Sequence, residues 1–159
     1  MTIIKTLPKK ITYDEDGVVK EKRVNDFDEN NNLLNSLIYD EDGDLISKES
    51  MQYDASNNII EKKLYDKDGD LLKLIKYEYT LDNKVASEKE YNSENTLQKS
   101  SEFVYTDDGK LIKEITENLY DDDYHEYNYK YDEPGNLVEV VEFDKLREPI
   151  KSYMIKYEY

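Results

Sequence analysis

The sequence predicts an all-β protein, a single curved antiparallel β-meander built from tandem 26-residue hairpin repeats. Three observations predict this fold. Aromatic residues recur at alternating long and short spacings, an aliphatic residue follows most of them at a constant distance, and turn-forming residues lie between the two. Self-similarity at a period of this size is typical of repeat architectures.

The aromatic residues that open the units set the period. Their successive spacings alternate between 14 and 12, with one spacing of 26 where a middle aromatic is missing. One complete unit therefore consists of a long half followed by a short half. The opening residues are Tyr13, Phe27, Tyr39, Tyr53, Tyr65, Tyr79, Tyr91, Tyr105, Tyr131, Phe143 and Tyr157.

An aliphatic residue stands six places after most of these rings, as Leu71 follows Tyr65. Asp, Asn and Gly fill the interval, for example DEDG after Tyr39 and DKDG after Tyr65. Asp and Asn side chains hydrogen-bond their own backbone in turns, and Gly or Asn tolerates the positive φ of a tight reversal. We therefore expect a type I turn with a bulge after each ring.

All of these spacings are even, which places each aliphatic residue and the next ring on one face of the same strand. Lys and Glu occupy the strand middles on both faces, so the pattern indicates a thin sheet held by cross-strand pairs rather than a sandwich. A β-solenoid with two strands per coil is the alternative architecture, because one complete unit would also make one coil.

The length of the chain predicts a single repeat domain over residues 1–159. Residues 1–12 form an N-terminal edge segment, residues 13–142 hold five 26-residue repeats, and residues 143–159 form a C-terminal partial repeat. No segment shows a helical period, so we expect strands of about seven to nine residues throughout.

The two ends of the chain depart from the regular unit. In the N-terminal segment Ile3, Ile4 and Leu7 favour an edge strand, which Pro8 interrupts. In the C-terminal segment the turn carries Arg147 where most units have Gly or Asn, and Tyr153, Ile155, Tyr157 and Tyr159 are expected to share one face of a final strand.

The fifth repeat also breaks the pattern, and it concentrates aromatic and acidic side chains. Glu117 stands where a ring is expected, and we predict that Tyr120 takes the place of that ring. Tyr is enriched at binding hot spots, and neighbouring acids attract Lys or Arg of a partner. We therefore predict a partner-binding site formed by Tyr120, Asp121, Asp122, Asp123, Tyr124, Glu126, Tyr127, Tyr129 and Tyr131. The other interpretation is that these rings fill the sheet of an imperfect repeat.

The charge of the chain restricts the classes of partner. The net charge is −16, and of the 22 basic residues only Arg23 and Arg147 are Arg. Nucleic-acid binding requires a basic footprint, so the sequence predicts no nucleic-acid partner. A basic protein partner suits this charge, while exposed Lys and acids on strands also serve to prevent edge-to-edge pairing.

The sequence gives only partial information about the cellular compartment of the protein. The absence of Cys removes disulfides as a constraint, and no apolar run reaches the length of a membrane span. The start MTIIKTLPKK is too short and polar for a secretion signal. We expect a cytoplasmic protein if Met1 is the native start, and an extracellular or cell-surface protein if the chain was trimmed.

Two features raise the question of a metal site. The acids Asp40, Asp42, Asp44, Asp66, Asp68 and Asp70 alternate in two turns and are calcium candidates, since Ca²⁺ prefers several carboxylate oxygens. Their Gly stands fourth rather than sixth as in a helix–loop–helix calcium loop, and turn chemistry accounts for the same residues. His125 is the single His and is predicted to be exposed and solvated. No cofactor or catalytic residue is predicted.

The pattern of aromatic, Asp, two variable residues, Gly, one variable residue and Leu resembles the YD repeats of the RHS (rearrangement hotspot) family. It is clearest in YDEDGDL from Tyr39, YDKDGDL from Tyr65, YTDDGKL from Tyr105 and YDEPGNL from Tyr131. The resemblance implies long antiparallel sheets, which in that family wind into shells around toxin or variable domains, and here an open curved sheet. Similar short acidic repeat proteins in bacteria are immunity partners of polymorphic toxins or surface lipoproteins. The resemblance brings no catalytic residues.

The sequence therefore predicts a non-enzymatic binding protein whose acidic, Tyr-rich surface holds a basic protein partner. An immunity or inhibitor role against a toxin is the sharpest form of this prediction. The alternative is a cell-surface or secreted YD-repeat module for adhesion or glycan binding, in which Tyr rings would stack on sugars.

Overall fold

A computed structural model describes residues 5–13, 15 and 19–155, with residues 5–13 and 19 described by their backbone alone. The described chain is all-β and contains twelve strands. Their bounds are β1 Lys5–Tyr13, β2 Val19–Phe27, β3 Leu33–Tyr39, β4 Leu45–Tyr53, β5 Ile59–Asp66, β6 Leu71–Tyr79, β7 Val85–Asn92, β8 Leu97–Tyr105, β9 Leu111–Asn118, β10 Asp123–Tyr131, β11 Leu137–Phe143 and β12 Pro149–Met154.

The strands are neighbours in the order in which they occur along the chain, with β1 and β12 at the two edges of the sheet. Neighbouring strands pair antiparallel, for example β3 with β4 and β10 with β11. The predicted open meander of hairpin repeats is therefore confirmed. The alternative solenoid is wrong, because each strand returns beside the strand that precedes it instead of starting a new coil.

Two compact units can be distinguished along the chain. One holds the described residues up to Tyr77 together with Tyr91–Thr96, and the other holds Glu78–Glu90 together with the residues from Leu97 onward. The candidate site lies in the second unit. The division of the chain into one domain with five repeats stays a prediction.

The nine regular turns from Phe27 onward share one backbone geometry. In the turn after Tyr39, the Gly43 N–H donates to the Asp40 carbonyl and the Asp40 N–H donates to the Asp44 carbonyl, at 3.2 and 3.0 Å. This is a type I turn followed by a residue in the left-handed region. The left-handed residue is the fourth after the ring in nine turns, namely Asn31, Gly43, Asn57, Gly69, Asn83, Asn95, Gly109, Gly135 and Arg147.

The recurring Asp after the ring has a structural role in this turn. In the turn after Phe27, Asp28 Oδ1 accepts hydrogen bonds from the backbone N–H groups of Asn30 and Asn32, at 2.9 and 2.8 Å. Hydrogen bonds to the carboxylate oppose the burial of Asp28 and hold its pKa below the ordinary value. The acid thus satisfies two turn donors that lack a strand partner.

The aliphatic residue six places after the ring pairs directly with that ring across the hairpin. Tyr39 pairs with Leu45, whereas the preceding residue Ile38 pairs with Ser47. Ile46 is therefore an extra residue, and the same one-residue bulge follows the turns after Phe27, Tyr53, Tyr65, Tyr105, Tyr131 and Phe143. The bulge adds local twist at each reversal.

The hydrophobic core is small, which agrees with a hydrophobic content of only 37%. Among the described residues only Ile38 and Leu74 are buried hydrophobic side chains. Ion pairs cross the strand middles, for example from Glu49 to Arg23 and Lys62, at 3.6 and 3.4 Å. These half-exposed ion pairs add little stability individually. The sheet is therefore stabilised mainly by the backbone hydrogen bonds between strands and by the contacts of the aromatic rings.

The ends of the chain differ from the prediction at two points: β12 ends at Met154, so that Ile155 lies beyond the final strand, and Pro8 does not interrupt β1. Strand β1 continues through Pro8, and a register shift between Leu7 and Lys10 accommodates the missing donor. The prediction for Ile3 and Ile4 lies outside the described residues, as does that for Tyr157 and Tyr159. The described part of the chain contains no helix long and apolar enough to cross a membrane.

The prediction that Tyr120 replaces the missing ring is wrong. β9 extends to Asn118, which pairs with Asp123, so the reversal consists of positions 119–122. Tyr120 lies in this reversal with 82% of its surface exposed and does not pack on the sheet. Glu117, in the ring position, instead forms an ion pair with Lys145 at 3.1 Å.

Candidate protein-binding site

The reversal between β9 and β10 exposes two apolar side chains beside a run of acids. Most of the surface of Tyr120 is exposed to solvent, and Leu119 is exposed as well. The Asn118 side chain accepts the Tyr120 N–H and donates to Asp121 Oδ2, at 3.1 and 2.6 Å. Asp122 adopts the left-handed conformation with φ of 50°. The local hydrogen bonds thus hold the reversal in a defined shape.

The neighbouring reversal between β11 and β12 contributes a further exposed apolar residue. Lys145 joins the two reversals, since its Nζ lies 3.1 Å from both Asp122 Oδ1 and Glu117 Oε1. The next residue, Leu146, is 83% exposed. We call Leu119, Tyr120, Asp121, Asp122 and Leu146 the acidic turn patch. It combines apolar anchors with carboxylates, which suits a basic protein surface.

The structure separates the remaining predicted residues onto the two faces of β10. Side chains alternate along a strand, so Tyr124 and Glu126 lie on one face and Tyr127 and Tyr129 on the other. Asp123 begins the strand, and Tyr131 ends it with its hydroxyl donating to the Leu111 carbonyl at 2.8 Å. The nine predicted residues therefore do not form one continuous surface.

On the first face Glu126 is buried and fully engaged. Its carboxylate accepts from Lys113 at 2.9 Å and from the Tyr124 hydroxyl at 3.0 Å. Burial disfavours the charged form, but the hydrogen bonds from Lys113 and Tyr124 outweigh it and hold the pKa of Glu126 below its ordinary value. Glu126 is therefore an internal ion-pair partner of Lys113 and is not displayed to a ligand.

On the second face the tyrosine hydroxyls are used within the sheet. Tyr129 donates to Glu114 at 3.0 Å, and Tyr127 donates to Glu142 at 3.3 Å. Burial, followed by the carboxylate Glu114, raises the pKa of Tyr129 above its ordinary value. Both rings are half-buried, so they pack within the sheet rather than stand free for a partner.

His125 lies on this second face and is more restrained than the sequence predicts. Its Nδ1 is 2.7 Å from Glu142 Oε1, and its Nε2 is 3.1 Å from Asp123 Oδ1. The hydrogen bond to Glu142 raises the pKa of His125, burial opposes it, and the charge of Asp123 adds to the rise. Both ring nitrogens are therefore engaged by carboxylates, while 37% of the side chain is exposed.

The calcium candidates occupy ordinary turns. Asp40 Oδ1 accepts the N–H groups of Asp42 and Asp44, at 3.1 and 2.9 Å. Asp66 does the same with Asp68 and Asp70 at 2.9 Å. Over the described residues no group of three or more His, Cys, Asp and Glu side chains is placed to hold a metal ion.

The sequence analysis did not identify Leu146, which belongs to the acidic turn patch, or Lys145, which joins the two reversals. Leu146 is an aliphatic residue at the third position after a ring, where other regular turns carry a polar residue or Pro134. The exposure of Leu146 could therefore have been predicted from this departure from the repeat. The contacts of Lys145 with Glu117 and Asp122 could not, because they join residues that are far apart in the chain.

The fold and the site define a hairpin-repeat protein with one antiparallel sheet and an exposed acidic patch at its turns. No protein-family model matches the sequence, and no curated protein matches it. A chain in the structure of the Photorhabdus luminescens Tc holotoxin pore resembles it, with a TM-score of 0.52 and 16% identity. The match covers 91% of this chain and only 9% of that chain. At this identity the likeness establishes the fold alone.

Proposed function

We propose that this chain is a short, acidic YD-repeat protein of the RHS-like kind, and that it is a non-enzymatic protein that binds a basic partner. The YD pattern and the fold shared with a chain of a toxin pore support this assignment. In the sharpest form of the proposal, the partner is a toxin and the chain neutralises it as an immunity or inhibitor protein.

The observation that carries the proposal is the exposure of Tyr120. In the regular units the ring pairs across the hairpin, as Tyr39 pairs with Leu45. Tyr120 instead projects into solvent from the reversal of the irregular repeat, and Lys145 ties this reversal to the one that carries the exposed Leu146. Exposed aromatic and aliphatic side chains grouped with polar neighbours are typical of interaction sites.

The proposed mechanism is steric occlusion assisted by charge. The net charge of −16 draws a basic partner toward the protein and speeds the encounter, an effect that salt screens. Tyr120 and Leu146 then pack on apolar surface of the partner, while Asp121 and Asp122 meet its Lys or Arg side chains. A partner held in this way is covered over the surface that it needs for its own activity.

A capture experiment with matched variants tests the proposal. The immobilised protein is incubated with lysate of the source organism at low and at high salt, and the retained proteins are identified by mass spectrometry. We expect one basic protein that binds at low salt and is weakened about tenfold by Tyr120→Ser or by Asp121→Asn with Asp122→Asn.

The control removes the same charge from a regular turn. Glu41→Gln with Asp42→Asn leaves the acidic turn patch intact, so this variant is expected to retain the partner like the unmodified protein. Equal retention by all variants would show that the patch is not the binding site. A captured protein that is itself acidic, or capture that high salt does not weaken, would contradict the charge-assisted mechanism.

A further inference from the structure

A groove lies between the reversal that joins β6 to β7 and the end of β8, within the second compact unit. Its volume is about 360 Å³. β9 starts beside this groove and ends at the acidic turn patch, so the two sites lie at opposite ends of the strands. The groove is lined by Thr80, Leu81, Asp82, Lys84, Phe103, Val104, Tyr105, Thr106 and Asp107.

Leu81 is the most informative residue of this groove. It is fully exposed, and Val104 on the facing strand is 47% exposed. The repeat supplies its own comparison, because the other regular turns at this end of the strands carry Glu29, Ala55, Asp107 and Glu133 at the position of Leu81. The turn therefore does not require a leucine. Adjacent exposed aliphatic side chains in a groove indicate a contact surface.

The charge of the groove is negative and not internally balanced. The carboxylates of Asp82 and Asp107 form no hydrogen bond or ion pair with the described residues. The basic lining residue, Lys84, is already engaged, since its Nζ donates to the Gly109 carbonyl at 2.5 Å and lies 5.2 Å from the centre of the Tyr105 ring. A cation entering the groove would therefore meet two free carboxylates.

We propose that this groove binds a short extended peptide segment in which Lys or Arg stands next to an apolar residue. The apolar side chain packs on Leu81 and Val104, and the cation lies between Asp82 and Asp107. Charge complementarity selects this occupant over an acidic or purely apolar one. The inference does not depend on the acidic turn patch, because it concerns different residues at the other end of the strands.

Nuclear magnetic resonance tests the proposal with the peptide acetyl-Arg-Leu-Arg-amide as the probe. Added to the full ¹⁵N-labelled chain, it is expected to shift the amide signals of residues 80–84 and 103–107 selectively. The peptides acetyl-Arg-Ser-Arg-amide and acetyl-Glu-Leu-Glu-amide are expected to bind at least tenfold more weakly. Shifts spread evenly over the acidic surface would overturn the proposal.

Three variants sharpen the result. Leu81→Ala places the residue of the equivalent turn, Ala55, in this groove, so it is expected to weaken the probe about tenfold while leaving the melting temperature unchanged. Asp82→Asn with Asp107→Asn is expected to weaken binding and to reduce its salt dependence. Tyr120→Ser is expected to change neither the affinity for the probe nor its salt dependence, so this variant distinguishes the groove from the site of the proposed function. Unchanged affinity in Leu81→Ala would overturn the proposal.

Discussion

A left-handed backbone conformation recurs at the fourth residue after the ring in nine described turns, and it explains why eight of those positions are Gly or Asn. Gly109, with φ of 85°, and Asn83, with φ of 58°, adopt the same conformation in successive turns at one end of the strands. Only residues that tolerate positive φ fit there at low cost. Arg147, with φ of 61°, shows that a larger residue is accepted when the surrounding hydrogen bonds are unchanged.

Gly109 carries a second constraint, which leads to a prediction at the scale of the residue. A methyl group at Gly109 would collide with Lys84 Nζ, whereas one at Gly43 would meet no atom within 4 Å. Both Gly→Ala substitutions strain the backbone by about 1–2 kcal/mol. We expect Gly109→Ala to lower the unfolding free energy by roughly a further 0.5–1 kcal/mol, because Lys84 loses its position over Tyr105. Chemical denaturation of the Gly43→Ala and Gly109→Ala variants measures the two unfolding free energies.

The control for this prediction removes the lysine. In a Lys84→Ala background the two Gly→Ala substitutions are expected to cost the same, since only the shared backbone strain remains. A difference that persists without Lys84 would show that the neighbouring lysine is not its cause.

At the scale of the element, β10 shows which part of the site the sequence could predict. The stretch of Tyr and acids marked the irregular repeat correctly, and the alternation of side chains along a strand accounts for Tyr127 and Tyr129 sharing a face. The sequence did not separate Tyr120, which is exposed, from Glu126, which is buried. That distinction depends on the length of the reversal and on Lys113 of the neighbouring strand, which no local pattern encodes.

The cluster around His125 predicts a pH dependence for the strands β10 and β11. The pKa of His125 is raised above its ordinary value of 6.5, chiefly by Glu142. A raised pKa stabilises the fold below the unfolded value, and this stabilisation is lost as the pH rises through the folded value. Since His125 is the single His, we expect the melting temperature to fall from about pH 6 to about pH 8.

The substitutions His125→Asn and Glu142→Gln test the origin of this dependence. His125→Asn is expected to flatten the profile over that range, and Glu142→Gln to move the loss of stability to lower pH, since the main cause of the raised pKa is then removed. Thermal melts followed by circular dichroism give both profiles. A His125→Asn profile that keeps the slope of the unmodified protein would contradict the assignment.

At the scale of the whole molecule, the period of the repeat predicts which deletions the sheet tolerates. Removing residues 40–65 joins Tyr39 to the intact turn that begins at Asp66, and it deletes one complete long half and one complete short half. The remaining strands keep their direction. We expect a cooperative β-protein that is less stable by about 1–4 kcal/mol, the share of one repeat in a marginally stable fold.

Removing residues 54–65 provides the matched comparison. It also leaves an intact turn, between Tyr53 and Asp66, but it deletes a single strand and reverses every strand that follows. The two long halves that contain β4 and β6 then become neighbours, so we expect this shorter deletion to be the more damaging. Circular dichroism and denaturant titration measure both proteins. Equal stability of the two deletion variants would show that the pair of halves is not the structural unit.

The sequence by itself determined the all-β class, the order of the hairpins and the turn type. These features arise from interactions within a few residues, such as the bonds of Asp40 in its own turn. Only the tertiary structure decided that Tyr120 projects into solvent, that Glu126 is buried, and that Lys145 joins two reversals. Those outcomes depend on side chains that meet across strands, and their meeting is set by the register of the assembled sheet.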